Sequence, residues 1–170
     1  MTQPTKGSDG LPAFAEVRKR YEDISKRSPG FKAQLGKRIG SPDDLSMVPG
    51  FYRLFPGISP SEWHYRAAFI VPFLRHSDKE PGLGEFIGEQ ERLNKVGSLE
   101  RRILQIARAA PHQDIIYLRR LLMRFNEPAI NWHRSGLAQF FSIEDEKNAI
   151  GKKILVEQYF VARHKAGKGE

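Results

Sequence analysis

The chain has 170 residues, of which 39% are hydrophobic and 28% are charged, and it contains no cysteine. This length and composition predict a globular domain with a core of its own and argue against wholesale disorder. The lack of cysteine excludes disulfides and thiolate metal sites, and the longest apolar stretch, residues 67–74, is too short to cross a membrane. We therefore expect no membrane association and a cytoplasmic location.

The net charge of +8 is unevenly distributed along the chain. Residues 18–38 hold eight basic and two acidic side chains, and residues 92–134 hold nine basic and three acidic ones, whereas residues 75–91 are acidic. The second basic block consists mostly of arginine, whose planar guanidinium can bind a phosphate at two points. This distribution favours association with a polyanion such as a nucleic acid.

Helical periodicity is found along almost the whole chain. Residues 1–10 are predicted to form a disordered lead, residues 166–170 a disordered tail, and a first helix is expected from about residue 11 to 27, followed by a short basic segment. Ser41 is predicted to cap a helical turn, and Pro72 to break or kink the helix that contains it. Further helices are expected at 49–55, 59–76, 83–94, 99–109 after a Ser98 cap, 111–125, 131–141, and from a Ser142 cap to about 165.

No stretch alternates at period two, so we predict an all-α fold, a compact bundle of about eight helices. A single domain would span residues 11–165 and could divide into small lobes at 11–76 and 83–165. The last helix is expected to bury one apolar stripe, which is made of Ala149, Ile150, Ile154, Val156, Phe160 and Val161.

The predicted helix 99–109 separates its apolar and basic residues. Helical geometry places Ile103 and Ile106 on one face, with Arg101 and Arg108 opposite and Arg102 on the flank. Such an arginine ridge suits a phosphate backbone, but it is also the pattern of an ordinary solvated helix face.

Other basic residues have different expected environments. In the helix at 111–125, Arg120 and Arg124 lie away from the apolar face, whereas Arg119 points into it. Arg119 is therefore either a structural ion-pair member or is aimed at a partner surface. Arg53 follows two aromatic residues, against which its stem can pack.

The sequence offers little evidence for catalysis. There is no phosphate-binding glycine loop, no nucleophile elbow, and no histidine pair with the spacing of a metal site. We accordingly predict no catalytic residue, no cofactor, no metal ion and no enzymatic activity. Residues 99–124 could form a helix-turn-helix, which leaves a stand-alone DNA-binding regulator as an alternative.

Four short motifs nevertheless form a recognisable pattern. They are Asp43-Asp44-Leu45, Pro49-Gly50-Phe51-Tyr52-Arg53-Leu54, Arg101-Arg102-Ile103-Leu104-Gln105 with Arg108, and Leu118-Arg119-Arg120-Leu121-Leu122. In this order and at this spacing, over about residues 31–163, they resemble the CasB family. CasB is the small subunit of Cascade, the type I-E CRISPR surveillance complex of antiviral defence.

The resemblance implies a non-catalytic, all-helical subunit that packs with a second copy of itself against the other Cascade subunits and the guide RNA complex. Its basic surface would bind single-stranded DNA, the displaced non-target strand of an R-loop, and stabilise that R-loop. The nucleic-acid-binding residues that it implies are Arg38, Arg53, Arg101, Arg102, Arg108, Arg119 and Arg120. Lys37, in a glycine-flanked segment, and Arg124 are added on local geometry. An all-helical scaffold that binds acidic protein surfaces is a further alternative.

Overall fold

The computed structural model describes residues 14–36 and 38–165. Its helices are α1 (Phe14–Arg27), α2 (Phe31–Gln34), α3 (Pro49–Leu54), α4 (Glu62–Ile70), α5 (Leu83–Arg92), α6 (Glu100–Arg108), α7 (Gln113–Leu122), α8 (Leu137–Phe141) and α9 (Asp145–Arg163). Two 3-10 helices, Pro42–Met47 and Val71–Phe73, and two short strands, β1 (Arg75–His76) and β2 (Ala129–Ile130), complete the described elements. The all-α fold class is confirmed, whereas the predicted lead and tail lie outside the described residues.

The helical turn at Pro42 begins as the sequence predicts. The Ser41 hydroxyl accepts a hydrogen bond from the Asp43 amide at 3.2 Å, and the Asp44 carboxylate accepts one from the Ser41 amide at 3.1 Å. This reciprocal capping box satisfies amide groups that the first turn leaves free. The turn continues as a 3-10 helix.

Pro72 interrupts the fourth helix, as predicted. α4 ends at Ile70 and a 3-10 turn carries the chain through Pro72, which has no amide hydrogen to donate. The predicted continuation of this helix to residue 76 is wrong, because Arg75 and His76 form β1 and pair in parallel with Ala129 and Ile130 of β2. The helix expected at 131–141 likewise begins only at Leu137.

Aromatic packing joins early and late parts of the chain in one core. The Phe14 ring of α1 stacks on Trp63 of α4 at a centroid distance of 5.3 Å. It also lies 5.3 Å from Trp132 and 5.3 Å, edge to face, from Phe141. The first helix is therefore fixed against both α4 and the segment around α8.

α5 and α9 pack unusually closely because α5 presents glycines at the contact. A Cβ atom on Gly84 would overlap the Leu155 carbonyl oxygen, and one on Gly88 would overlap that of Tyr159. The two backbones can approach only because these positions lack side chains.

The buried face of α9 differs from the predicted apolar stripe. Ile150 and Val161 are 50% and 74% exposed, and Ala149 is also exposed. The face that packs inward consists of small, polar and large residues together, namely Asn148, Gly151, Lys152, Leu155, Tyr159 and Ala162. The stripe prediction is wrong for Ala149, Ile150 and Val161, whereas Val156 and Phe160 are partly buried against the core. Polar groups that find buried partners, and glycines at close contacts, carry no hydrophobic signal, so the sequence did not predict the rest of the inward face.

Two predicted helix caps are also corrected. α6 begins after Leu99 rather than Ser98, and the Leu99 amide donates to the Glu91 carboxylate at 3.2 Å. Ser142 accepts from the Glu144 amide at 3.1 Å, but Glu144 occupies the N-cap position of α9.

A fully buried ion pair links α4 to α7. Arg66 donates to both carboxylate oxygens of Asp114 at 2.8 Å, and both side chains are completely buried. Arg66 also donates to the carbonyls of Phe140 and Phe141, while Lys152 of α9 lies 3.3 Å from Asp114. Burial alone would raise the pKa of Asp114, but Arg66 and Lys152 outweigh it and lower the pKa below its usual 3.8.

Among the helices of the described residues, none is both long enough and apolar enough to cross a membrane.

Candidate nucleic-acid interface

The amphipathic helix α6 directs its basic ridge outward. Ile103 and Ile106 are fully buried, whereas Arg101, Arg102 and Arg108 are exposed. Because the apolar residues recur with the helical period, burying them turns the arginines toward solvent. The predicted placement of these arginines on the exterior is confirmed.

α6 and α7 form the walls of an open groove with a volume of about 720 Å³. Arg101 and Arg108 line it from α6, and Tyr117 lines it from α7. The other lining residues are Glu100, Leu104, Gln105, Ala109, Ala110 and Gln113. Arg102 lines an adjoining depression of about 550 Å³, which shares Arg101 and Gln105 with the groove.

The exposed arginines of α6, and those on the exposed side of α7 and just beyond its end, have no partners among the described residues. Within residues 14–36 and 38–165, their side chains form no ion pair and no hydrogen bond; they are Arg101, Arg102, Arg108, Arg120 and Arg124. The one acid that lines the groove, Glu100, is paired with Arg163 of α9 at 3.1 Å. The positive charge on this surface is therefore not neutralised by the described part of the chain.

Arg120 and Arg124 extend the basic surface along α7 and beyond its end. Both are exposed, and they lie three and seven positions after Tyr117, so they continue the side of α7 that Gln113 and Tyr117 begin. The structure thus brings Arg101, Arg102 and Arg108 together around the groove and leaves Arg120 and Arg124 farther along the second helix.

Arg119 is a correction to the predicted binding set. Its side chain is buried, with its guanidinium centre 4.3 Å from the Phe69 ring centroid and 4.8 Å from that of Phe73. It donates to the carbonyls of Phe69 and Gly36. These contacts, with no carboxylate among them, hold it inside the protein, and burial lowers its pKa to about 10, so it stays charged at neutral pH.

Through these contacts Arg119 anchors the segment that leads to Arg38. Since it binds the Gly36 carbonyl, the chain beyond α2 is held beside α7. Arg38 is exposed, while Lys37 lies outside the described residues. Arg38 is not among the residues that line the α6–α7 groove or the adjoining depression.

Arg53 is exposed but tethered. It donates to the Ser28 hydroxyl at 2.9 Å, and its guanidinium centre lies 5.6 Å from the Phe31 ring centroid. As predicted, this side chain packs against an aromatic residue. The structure does not bring it to the α6–α7 groove.

A second groove, of about 670 Å³, lies between α9 and the link from α6 to α7. Arg108 lines both grooves, and Lys152 and Lys153 line the second one. The Lys152 ammonium group already has two partners within the protein, because it donates to the Ala109 carbonyl at 2.6 Å and pairs with Asp114. Lys153 is exposed and lies 3.8 Å from Glu157, which also lines this second groove, so the groove contains acidic as well as basic groups.

One acid–histidine cluster has the composition of a metal site. His112 Nε2 lies 3.0 Å from Glu62 Oε2 and 3.8 Å from Asp43 Oδ1. Its Nδ1, however, faces Nη1 of Arg66 at 3.4 Å, and a guanidinium can only donate. The tautomer that fits this contact accepts at Nδ1 and carries its hydrogen on Nε2, and in that tautomer no imidazole lone pair points between the carboxylates.

Comparisons with known proteins identify relatives of this chain. No family model matches it. A curated protein of Escherichia coli strain K12, CRISPR system Cascade subunit CasB, is 34% identical over 121 residues, which cover 61% of this chain and 69% of that protein.

Its fold is similar to that of a chain in the crystal structure of E. coli Cascade bound to a PAM-containing double-stranded DNA target. The TM-score is 0.69 and the identity 27%, and the match covers 88% of this chain and 95% of that chain. Sequence identity over more than two thirds of the curated relative, together with this shared fold, shows that the chain belongs to the CasB family of CRISPR Cascade subunits.

Proposed function

We propose that this protein is a non-catalytic small subunit of a type I-E Cascade complex whose basic α6–α7 surface binds the displaced non-target DNA strand. The observation that carries the proposal is the group of exposed arginines around the α6–α7 groove that lack acidic partners within the described residues. By binding that strand, the subunit would stabilise the R-loop during RNA-guided target recognition.

R-loop formation is nearly balanced in free energy. The RNA–DNA hybrid that forms is about as stable as the DNA duplex that it replaces, so a small additional free energy decides the outcome. Contacts between guanidinium groups and phosphates supply such a term without reading the base sequence. Arg101, Arg108 and Arg120 are suited to this role because none of them forms an ion pair with another residue of the ranges 14–36 and 38–165, so no such pair has to be broken first.

Family membership supports the choice of partners. The curated relative is a subunit of Cascade, and the similar solved chain comes from a Cascade structure that contains a double-stranded DNA target. We propose that this chain likewise assembles with other Cascade subunits around a guide RNA, together with a second copy of itself. In this assembly it acts by binding, and no residue is assigned a catalytic role.

The first test measures DNA binding by the full chain with fluorescence anisotropy. Labelled single-stranded and duplex DNA of one mixed sequence would be titrated over a series of salt concentrations. We expect single-strand binding at least as strong as duplex binding, with log K falling by about 0.7 per log unit of salt for each phosphate contacted. A duplex preference with a defined site would instead favour the stand-alone regulator.

The second test measures R-loop formation by the reconstituted guide RNA complex. Arg101→Glu and Arg120→Glu should reduce the yield of R-loop and make the salt dependence shallower by about one contact each. Lys79→Glu is the matched control, because Lys79 is exposed in the acidic segment and the charge change is the same.

Equal R-loop yields from the arginine variants and the control would refute the proposed strand-binding surface. If the arginine variants failed to enter the complex, the result would favour the scaffold alternative, in which these arginines bind acidic protein surfaces.

A further inference from the structure

The α6–α7 groove contains more than phosphate-binding groups. Leu104, Ala109 and Ala110 contribute apolar surface, and Tyr117 contributes an aromatic side chain. Gln105 and Gln113 contribute one carboxamide from each wall. Phosphate binding alone requires neither an aromatic ring nor carboxamides, so this lining indicates a ligand with both flat apolar and polar parts.

The polar groups of this lining are free to meet a ligand. Within the described ranges 14–36 and 38–165, the side chains of Gln105, Gln113 and Tyr117 form no hydrogen bond, and the Tyr117 ring makes no contact with another aromatic ring or a guanidinium. Tyr117 is partly buried against the core, which holds it in place. The groove is thus bordered by a supported aromatic side chain and by unpartnered amides.

The charge and size of the groove narrow the choice of ligand. Arg101 and Arg108 both line it, and its acid, Glu100, is occupied by Arg163. Its volume of about 720 Å³ falls within the range of roughly 300–1,000 Å³ typical of small-molecule sites. An anionic ligand with a planar ring, such as one nucleotide of a single strand, matches these features.

We propose that the groove holds an unpaired nucleobase of the bound strand, stacked on Tyr117, while Arg101 and Arg108 bind the flanking phosphates. Gln105 and Gln113 can both donate and accept hydrogen bonds, so either could bind the edge of any base. This inference rests on the proposed function and adds a base-binding subsite to it. It explains how the surface would prefer a single strand, because bases in a duplex are stacked and unavailable.

The experiment compares two single-stranded oligonucleotides of about 12 nucleotides, one of thymidine and one in which every base is replaced by an abasic site. Both carry the same phosphates, so their affinities for the full chain at low salt differ only through the bases. We expect the thymidine oligonucleotide to bind at least about fivefold more tightly, which corresponds to about 1 kcal/mol for one stacked base.

Variants assign this difference to the groove. Tyr117→Leu should remove most of the preference for the thymidine oligonucleotide, whereas Tyr117→Phe, which keeps the ring, should retain it. Tyr52→Leu is the matched control, because Tyr52 is exposed on α3 and does not line the groove. The comparison of the two oligonucleotides on the unaltered chain does not depend on how well the variants fold.

The possible outcomes separate this inference from the proposed function. Equal, salt-dependent binding of the two oligonucleotides would overturn the base-binding subsite and leave the phosphate-binding role intact. A preference that persists in Tyr117→Leu would also overturn the assignment of the base to this groove. No binding of either oligonucleotide at low salt would count against both.

Discussion

Removal of the buried carboxylate Asp114 should destabilise this protein severely. Asp114 receives two hydrogen bonds from Arg66, one from Asn148 at 3.2 Å and the charge of Lys152 at 3.3 Å. In Asp114→Ala, these donors lose their acceptor inside a site from which water is excluded. The network also joins α4, α7 and α9 next to the link that borders both grooves.

The size of the effect follows from this burial. Both Arg66 and Asp114 have fully buried side chains, and breaking such a pair by removing one partner costs about 3–5 kcal/mol. For a domain of this size, 1 kcal/mol shifts Tm by roughly 2–4 °C, so we expect a decrease of about 10 °C. An exposed ion pair would contribute at most about 1 kcal/mol.

Urea unfolding followed by circular dichroism would measure the free energy of unfolding of Asp114→Ala. Asp78→Ala is the control, since the Asp78 side chain is 86% exposed and pairs with His76 at the surface. If Asp114→Ala lowered the free energy of unfolding by less than about 1 kcal/mol, no more than the control does, the predicted contribution of the buried ion pair would be refuted.

Two further predictions concern helix packing and pH. Gly84→Ala should destabilise the protein by about 1–3 kcal/mol, because the added Cβ would overlap the Leu155 carbonyl oxygen. Gly97→Ala is the control and should change stability little, because the space around Gly97 is open. Chemical unfolding of the two variants would compare their free energies of unfolding. Burial lowers the pKa of His64 below its usual 6.5. As the pH decreases, His64 therefore becomes protonated in the unfolded chain before it does so in the folded protein, and stability should fall below about pH 6.5. In His64→Gln, the free energy of unfolding, measured at several pH values, should fall less steeply as the pH decreases. An unchanged pH dependence would contradict the assignment of this effect to His64.

Sequence periodicity predicted α1, α6 and α7 well because each buries a regular apolar face. Ile103, Ile106 and Leu118 are fully buried, and the arginines opposite the α6 core face are exposed. Helical periodicity also places Arg119 on the buried side of α7, whereas the resemblance to the CasB family includes it among the nucleic-acid-binding candidates. Only its three-dimensional partners, three carbonyls and two rings, show that its role is internal.

Periodicity failed where burial depends on a specific neighbour. The inward face of α9 contains Gly151, Asn148 and Lys152, which are buried because α8 approaches closely and because Asp114 provides a partner. The pairing of β1 with β2 joins residues 75–76 to 129–130, and a two-residue strand leaves no alternating pattern to detect.

The sequence by itself therefore determined the all-α class, the main basic surface on α6 and α7, and the family, because these depend on local periodicity, composition and short motifs. Only the tertiary structure decided which charged groups are available to a partner. Arg66, Arg119 and Lys152 are held in buried contacts with other parts of the protein. Arg101 and Arg108, in contrast, border a groove, and their side chains have no partners among the described residues. That distinction depends on contacts between residues far apart in the chain, where the cost of burying a charge must be met by a specific partner.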